Sequence, residues 1–295
     1  MLAAEKAAVR APLDVVSLSP LMERTAGIAE VAVGLIDGPV AANHADLATE
    51  NIRSLPSRLP GPSERSAGVA RAHGTYVAGI LSARRESAAP AICPGCTLVV
   101  RPIFLEPAGA DLPSASPGEL ADAIVDCVDA GARILNLSVA LAAPSPNKEA
   151  KLEQALGHAA RQGVIVVAAA GNQGTLGSSA ITRHPWVIPV VACDSRGWPL
   201  AMSNLGNSIG RRGLMAPGDA VTSLGSNGRP VTSGGTSAAA PFVTGTFALL
   251  WSMFPQASAA EVKSAVTRAG GRRAVVVPPP LDAWAACQLM QDRRA

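Results

Sequence analysis

The chain has 295 residues and a formal net charge of +3, and 48% of its residues are hydrophobic, 16% charged and 3% aromatic. This length and composition fit one large globular domain, or two small ones, with a core of aliphatic side chains. The low charge and the lack of a basic segment interleaved with aromatic residues argue against nucleic acid as a partner. The sequence has neither an 18-residue apolar run nor the apolar core of a signal peptide, so we expect no membrane partner and a cytoplasmic location.

Apolar strands and helices alternate along the chain after an N-terminal arm at residues 1–26. Strands are predicted at residues 31–37, 97–104, 133–139, 164–170 and 186–193. Helices are predicted near residues 20–24, from 73 to about 84, at 117–130, at 147–162, from 237 to about 253, at 259–269 and at 283–292. The polar residues 48–71, rich in Pro and Gly, indicate a long surface loop. This alternation predicts an α/β fold with one mainly parallel central β-sheet and helices on both faces. One domain is expected over residues 1–295, with a core at 27–270 and a C-terminal strand and helix at 271–295.

Four segments place chemically useful side chains at the ends of predicted elements. An apolar strand ends in Asp37, and His73 opens a helix of small residues. Another apolar strand runs toward Gly171 and is followed by the amide side chain of Asn172. Ser237 lies between glycines and an apolar helix, where free backbone N–H groups favour negative charge. Each residue alone has an ordinary explanation as a turn former, a cap or a surface group, but together they supply an acid, a base, an amide donor and a hydroxyl nucleophile.

The order of these segments resembles that of the subtilisin-like serine proteases. The matching stretches are IDGPVAANHADL, HGTYVAGIL, ILNLSVA, VVAAAGNQG and SGGTSAAAPFVTG, and they extend from about residue 31 to residue 254. The resemblance implies a single subtilisin-like peptidase domain and a serine endopeptidase that hydrolyses peptide bonds through an acyl-enzyme. It implies that Ser237 is the nucleophile, that His73 is its base and then the acid, and that Asp37 orients His73. The Asn172 side chain and the Ser237 N–H would bind the oxyanion.

A finer resemblance follows from Gly38 and Pro39, which come directly after Asp37. This pair is similar to the proteases that mature cyanobactins and related ribosomal peptides, which implies leader trimming of a precursor peptide or protein. Two alternatives stay open: a catalytically silent peptide-binding scaffold, and a transamidase that joins peptide ends. The short stretch between His73 and Ser138 leaves no room for the large inserted cap of such transamidases, and this favours hydrolysis.

The resemblance also implies a substrate groove, in which an extended peptide pairs with the strand that ends near Ser138. The S1 pocket is expected between two short segments. Its predicted lining residues are Ser138, Val139, Ala140, Ala169, Ala170 and Gly171. Residues 139–141 carry side chains where the family usually has glycines, so we expect a narrow groove that prefers small residues near the cut.

Arg183 falls near the expected floor of the S1 pocket, where the family often has glycine. If its side chain points inward, it would favour acidic or very short P1 residues. The alternative, which we favour, is that the side chain turns outward and leaves P1 preference unaffected.

No cofactor or metal is predicted. Asp46 matches a family position that often binds Ca²⁺, but the arginines at 84 and 85 would repel the ion. Of the five cysteines, Cys93 and Cys96 form a lone C-x-x-C pair. We interpret this pair as part of a surface loop able to form a local disulfide, and the other histidines, His44, His158 and His184, as structural or exposed residues. The oligomeric state stays open.

Overall fold

The computed structural model describes residues 10–56, 68–104, 115–139, 149–271 and 275–293. Its main sheet has seven parallel strands in the order β2-β3-β1-β4-β5-β6-β7. These strands are β1 (Ala32–Asp37), β2 (Ile52–Ser54), β3 (Thr97–Pro102), β4 (Ile134–Leu137), β5 (Ile165–Ala169), β6 (Val187–Cys193) and β7 (Leu214–Pro217). An antiparallel hairpin follows, formed by β8 (Val221–Leu224) and β9 (Pro230–Ser233).

The described residues form ten α-helices and a 3₁₀ turn at Thr49–Asn51. The helices are α1 (Pro12–Val15), α2 (Ser19–Met22), α3 (Val69–Ser82), α4 (Pro117–Asp129), α5 (Ala150–Arg161), α6 (Ala180–Arg183), α7 (Asn207–Arg212), α8 (Thr236–Met253), α9 (Ala259–Ala269) and α10 (Ala283–Asp292). Capping boxes start α4 and α9, in which a serine bonds the N–H three residues on and a glutamate bonds back.

Side chains alternate between the two faces of the main sheet, as the period of a β-strand requires. In β5, Ile165 and Val167 join the core under α3 and α8, whereas Val166 and Ala168 join a second apolar cluster under α4 and α5. Both faces of the sheet are therefore covered by helices, which confirms the predicted fold class. Helix α8 is apolar on nearly all sides and is buried through the centre of the larger core.

The carboxyl ends of β1, β4 and β5 lie side by side, because these strands are neighbours and run in parallel. Asp37 ends β1, Leu137 ends β4 and Ala169 ends β5. The segments that follow these three strands therefore meet at one edge of the sheet, where ligands of open α/β sheets usually bind.

The structure differs from the sequence-based predictions at several elements. Helix α3 begins at Val69, one turn before the predicted start, so His73 lies in its second turn. The predicted loop at 48–71 contains β2, a short edge strand, and the hairpin of β8 and β9 was not predicted. At the C-terminal end, the described residues before α10 form a single bridge between Pro280 and Met215 where a strand was expected.

The interpretation of Cys93 and Cys96 as part of a surface loop was wrong, because both residues are buried. Both are free thiols with 1% of their surface exposed. The segment that carries Gly27 covers them so closely that a Cβ on this glycine would lie 2.4 Å from Cys96 Sγ. The packing of this segment against the cysteine turn is a long-range contact, which the C-x-x-C spacing does not reveal.

Among the described residues, no helix is both long and apolar enough to cross a lipid bilayer.

Candidate active site

Asp37 and His73 form a close pair at the carboxyl end of β1. His73 Nδ1 lies 2.7 Å from Asp37 Oδ1, and the Gly38 N–H donates to the same oxygen at 2.6 Å. Asp37 is fully buried, whereas 36% of the His73 side-chain surface is exposed. Because Nδ1 faces the carboxylate, it carries the proton, and Nε2 is left to act on a neighbouring group.

The backbone around this pair allows no room for larger residues. A Cβ on Gly74 would lie 2.4 Å from the Gly38 carbonyl oxygen, and a Cβ on Gly38 would lie 2.0 Å from the Ala70 carbonyl oxygen. The Thr75 hydroxyl accepts a hydrogen bond from the Ala41 N–H at 2.9 Å. These contacts fix α3 against the turn after β1 and thereby set the position of His73 relative to Asp37.

The negative charge of Asp37 raises the pKa of His73 above its usual value of 6.5, partial burial opposes this rise, and the hydrogen bond to Asp37 adds to it. The raised pKa means that Asp37 stabilises the imidazolium, which is the form that a general base takes after it accepts a proton. The pair is therefore built for proton transfer.

Ser237 lies in the first turn of α8, as predicted. Gly235 precedes the helix with φ +106°, a conformation that favours glycine. Helix α3 packs against α8, and the Tyr76 hydroxyl donates to the carbonyl oxygens of Val221 and Ser233 at 2.9 and 3.3 Å. These contacts hold the His73 helix against the strand that leads to Ser237. Within the described residues, no hydrogen bond joins the Ser237 hydroxyl to His73.

Asn172 lies beside the start of α8. Its Oδ1 accepts hydrogen bonds from the Thr236 N–H and the Thr236 hydroxyl, both at 2.9 Å. Its Nδ2 bonds no acceptor in the described parts of the chain, so both of its protons are available to a ligand next to Ser237. An amide donor next to a hydroxyl at a helix N-terminus is suited to stabilise a negative oxygen.

A family model described as the subtilase family (Peptidase_S8) matches residues 29–277. The chain belongs to the subtilase family. By family it is a subtilisin-like serine protease, in agreement with the resemblance seen in its sequence.

Two relatives of this subtilase show how far the similarity extends. Subtilisin DY from Bacillus licheniformis is 32% identical over 241 residues, which are 80% of this chain and 82% of that protein. The thermostable alkaline protease of Halalkalibacterium halodurans is 28% identical over 237 residues, which are 80% of this chain and 61% of that protein. The chain thus spans most of subtilisin DY but less than two thirds of the alkaline protease.

Solved structures similar to this subtilase include two peptide maturation proteases. The protease domain of PatA, described as a patellamide maturation protease, has a TM-score of 0.84 and 29% identity, covering 90% of this chain and 97% of that one. The prenylagaramide maturation protease PagA has a TM-score of 0.81 and 27% identity, covering 92% and 98%. The PatG macrocyclase bound to a peptide, at 21% identity and a TM-score of 0.80, shares the fold. The likenesses to PatA and PagA match the sub-group of cyanobactin maturation proteases that Gly38 and Pro39 indicated.

Of the residues predicted to line the S1 pocket, those that the structure describes lie at or directly after the ends of β4 and β5. Ser138 and Val139 directly follow β4, and Ala170 and Gly171 directly follow β5, the neighbouring strand. Val139 is 8% exposed and packs in the cluster under α4 and α5, so its side chain is turned away from the solvent. Ala140 lies outside the described residues.

Arg183 ends the short helix α6, and its Nη1 lies 3.5 Å from the Ser178 carbonyl oxygen. The Arg212 guanidinium donates to the carbonyl oxygens of Thr182 and Arg183 at 3.0 and 2.9 Å. Arg212 thus satisfies the last two carbonyl groups of α6, whereas Arg183 reaches back to a carbonyl group before the helix.

A buried polar chain behind Ser237 was missed in the sequence analysis. The Thr244 hydroxyl donates to Asn136 Oδ1 at 2.8 Å, Asn136 Nδ2 donates to Ser138 Oγ at 2.7 Å, and the Ser138 hydroxyl donates to the Ser237 carbonyl oxygen at 3.3 Å. Asn136 is fully buried in an otherwise apolar strand, which was the signal available in the sequence. This chain of bonds anchors the first turn of α8 to the end of β4.

Proposed function

We propose that this subtilase is a serine endopeptidase that cleaves peptide bonds through an acyl-enzyme formed on Ser237. The observation that carries the proposal is the 2.7 Å contact between His73 and the fully buried Asp37, because it defines which imidazole nitrogen is free to accept a proton. A peptidase of this kind needs a nucleophile, a base and an oxyanion site, and the proposal assigns these roles to Ser237, to His73, and to the Asn172 amide with the Ser237 N–H.

In the proposed mechanism, the Ser237 hydroxyl attacks the carbonyl carbon of the scissile peptide bond while His73 Nε2 takes its proton. Asp37 stabilises the resulting imidazolium through Nδ1–H. The carbonyl oxygen becomes an oxyanion, which accepts hydrogen bonds from Asn172 Nδ2 and from the Ser237 N–H. His73 then gives its proton to the leaving amine, and the amine departs to leave an ester on Ser237. Water activated by His73 hydrolyses this ester and restores the serine.

We propose further that the substrate is a ribosomal precursor peptide from which the enzyme trims the leader. This finer proposal is supported by the Gly38 and Pro39 pair and by the similarity to PatA and PagA, whose descriptions name peptide maturation. Ser138 and Val139, which directly follow β4, offer main-chain groups with which such a peptide can pair.

Labelling with a fluorophosphonate probe tests the nucleophile. We expect the intact chain to form a stable phosphonyl adduct on the peptide that contains Ser237, and Ser237→Ala to form none. Ser226→Ala, in the turn between β8 and β9, is the matched control and should be labelled like the parent chain. An unlabelled parent chain would favour the silent peptide-binding scaffold instead.

Incubation with candidate precursor peptides tests the substrate class. Mass spectrometry should detect a free leader and a linear core peptide with the parent chain and intact precursor with Ser237→Ala. Cyclic products that lack the mass of one water would support the transamidase alternative. Cleavage of unrelated unfolded proteins at rates equal to those of the precursors would contradict leader trimming but not peptidase activity.

A further inference from the structure

The loop that carries Asn172 is held by a side chain from another part of the chain. Asn204, in the segment between β6 and α7, directs its amide into the loop at residues 170–175, which we call the oxyanion loop. The Asn204 N–H also donates to the Gly171 carbonyl oxygen at 2.9 Å. Asn204 therefore contacts the oxyanion loop through both its backbone and its side chain.

The Asn204 side chain uses every hydrogen-bonding group that it has. Its Oδ1 accepts from the Gln173 N–H, the Thr175 N–H and the Thr175 hydroxyl, each at 3.1 Å. Its Nδ2 donates to the Ala170 carbonyl oxygen at 3.2 Å and to Gln173 Oε1 at 2.7 Å. A flipped amide would place its NH₂ group against the Gln173 and Thr175 N–H groups and its oxygen against the Ala170 carbonyl oxygen, so these backbone groups decide its orientation.

These bonds fall on both sides of Asn172. Ala170 and Gly171 precede it, and Gln173 and Thr175 follow it. The contact is also close, since a Cβ on Gly171, where φ is +104°, would lie 2.3 Å from Asn204 Nδ2. A side chain that fixes the backbone before and after a residue sets the direction in which that residue's own side chain points.

Within the part of the chain that the structure describes, the Asn172 side chain is bonded by Thr236, whose N–H and hydroxyl donate to its Oδ1. Thr236 fixes the end of the Asn172 side chain, and Asn204 fixes the loop at its base. We infer that Asn204 is a positioning residue, which holds the Asn172 amide at the place where the oxyanion forms. This inference rests on the proposed peptidase function.

A double-mutant cycle with the fluorophosphonate probe tests the inference. In this reaction Ser237 Oγ bonds to phosphorus, fluoride leaves, and His73 takes the hydroxyl proton, so the phosphoryl oxygen occupies the oxyanion site. The second-order labelling rate would be measured for the parent chain, Asn204→Ala, Asn172→Ala and the double variant. Asn227→Ala is the matched control, because Asn227 caps the distant β8–β9 turn through one bond to the Arg229 N–H.

We expect Asn204→Ala to slow labelling by roughly 10-fold or more, bounded by the roughly 10²–10³-fold cost of losing an oxyanion donor, a range known from subtilisin itself. In the Asn172→Ala background the same change should cost less than about twofold, because the amide that it positions is already gone. Asn227→Ala should be labelled like the parent chain. If Asn204→Ala does not fold, Asn204→Ser, which keeps one donor and one acceptor, replaces it in the same cycle.

An equal loss from Asn204→Ala in both backgrounds would overturn the inference and leave the proposed peptidase function standing. No loss in the Asn172-containing background would overturn it as well. A parent chain that the probe does not label would instead contradict the proposed function, and the inference would fall with it.

Discussion

The two halves of the candidate active site are held in different ways. In the base half, Asp37 and His73 are joined directly by one short bond, and backbone contacts at Gly38 and Gly74 press their two elements together. In the oxyanion half, Asn172 and Ser237 are placed through neighbours, chiefly by bonds to Thr236 and to the Ser237 carbonyl oxygen. The base half depends on charge and close packing, whereas the oxyanion half depends on a network of neutral hydrogen bonds. Substitutions in the two halves should therefore lower kcat by different amounts and change the pH dependence of kcat/KM differently.

The largest effect is expected in the base half, from Asp37→Asn. The amide cannot stabilise the imidazolium and favours the wrong tautomer of His73, so kcat should fall by roughly 10⁴-fold. KM should change little, because Asp37 is buried and does not face the substrate. Steady-state kinetics on a peptide substrate measures this, with Asp14→Asn in α1 as the matched control. A loss smaller than about tenfold would show that Asp37 does not support the base.

Asn172→Ala should cost less, because it removes one donor and leaves the base intact. We expect kcat to fall by about 10²–10³-fold, a magnitude known from the corresponding donor of subtilisin. The fold should also lose roughly 1–3 kcal/mol of stability, because the buried Thr236 N–H and hydroxyl lose their acceptor. Thermal unfolding and kinetics measured on the same sample separate the two effects. A loss of kcat as large as that expected for Asp37→Asn would contradict the proposed difference between the two halves.

Gly74→Ala tests whether packing alone positions the base. The added Cβ would lie 2.4 and 2.6 Å from the Gly38 and Pro39 carbonyl oxygens, so α3 must shift. A displacement of about 1 Å should lower kcat by roughly 10²-fold without removing any catalytic group. Gly157→Ala is the matched control, because this helical glycine faces only the flexible end of Arg161 at 3.4 Å. That substitution should leave activity unchanged and stabilise α5 by about 0.5–1 kcal/mol.

The sequence predicted the four candidate residues of both halves at the ends of elements, but it did not predict Asn204, and the reason is physical. Asp37 ends a continuous apolar strand, and the order of strand, turn and helix is a local pattern. The role of Asn204 depends on contacts with residues about thirty positions away, which no local pattern encodes. The N-terminus of α3 was misplaced because Gly68 starts the helix without a side-chain cap, whereas α9 was placed correctly because Ser258 and Gly270 mark its two ends.

The pH dependence of kcat/KM should distinguish the two halves, because it is set by the charge of His73 in the base half. Because Asp37 raises the pKa of His73 above 6.5, kcat/KM should fall about tenfold per pH unit below a midpoint that lies above 6.5. The folding stability that the pair contributes should change with pH in the opposite direction. It is fully present below pH 6.5 and is lost as the pH rises through the raised pKa. Asn172→Ala should leave the midpoint unchanged. Profiles of kcat/KM and of Tm against pH check both trends, and a midpoint below 6.5 would contradict the raised pKa of His73.

The smallest effect is expected from Arg183→Gly. This substitution tests whether a residue outside the two halves contacts the P1 side chain of the substrate. The structure places the Arg183 guanidinium beside the Ser178 carbonyl oxygen, and the outward orientation that we favour stays a prediction. A partly exposed charge of this kind contributes at most about 1 kcal/mol to a pairing, so the preference for acidic over neutral P1 residues should change by less than about fivefold. Profiling with a peptide library that varies only P1 measures this ratio. A larger loss of the preference for acidic P1 residues would mean that Arg183 points into the S1 pocket when substrate is bound. Substrate choice would then depend on the charge in this pocket as well as on the width of the groove.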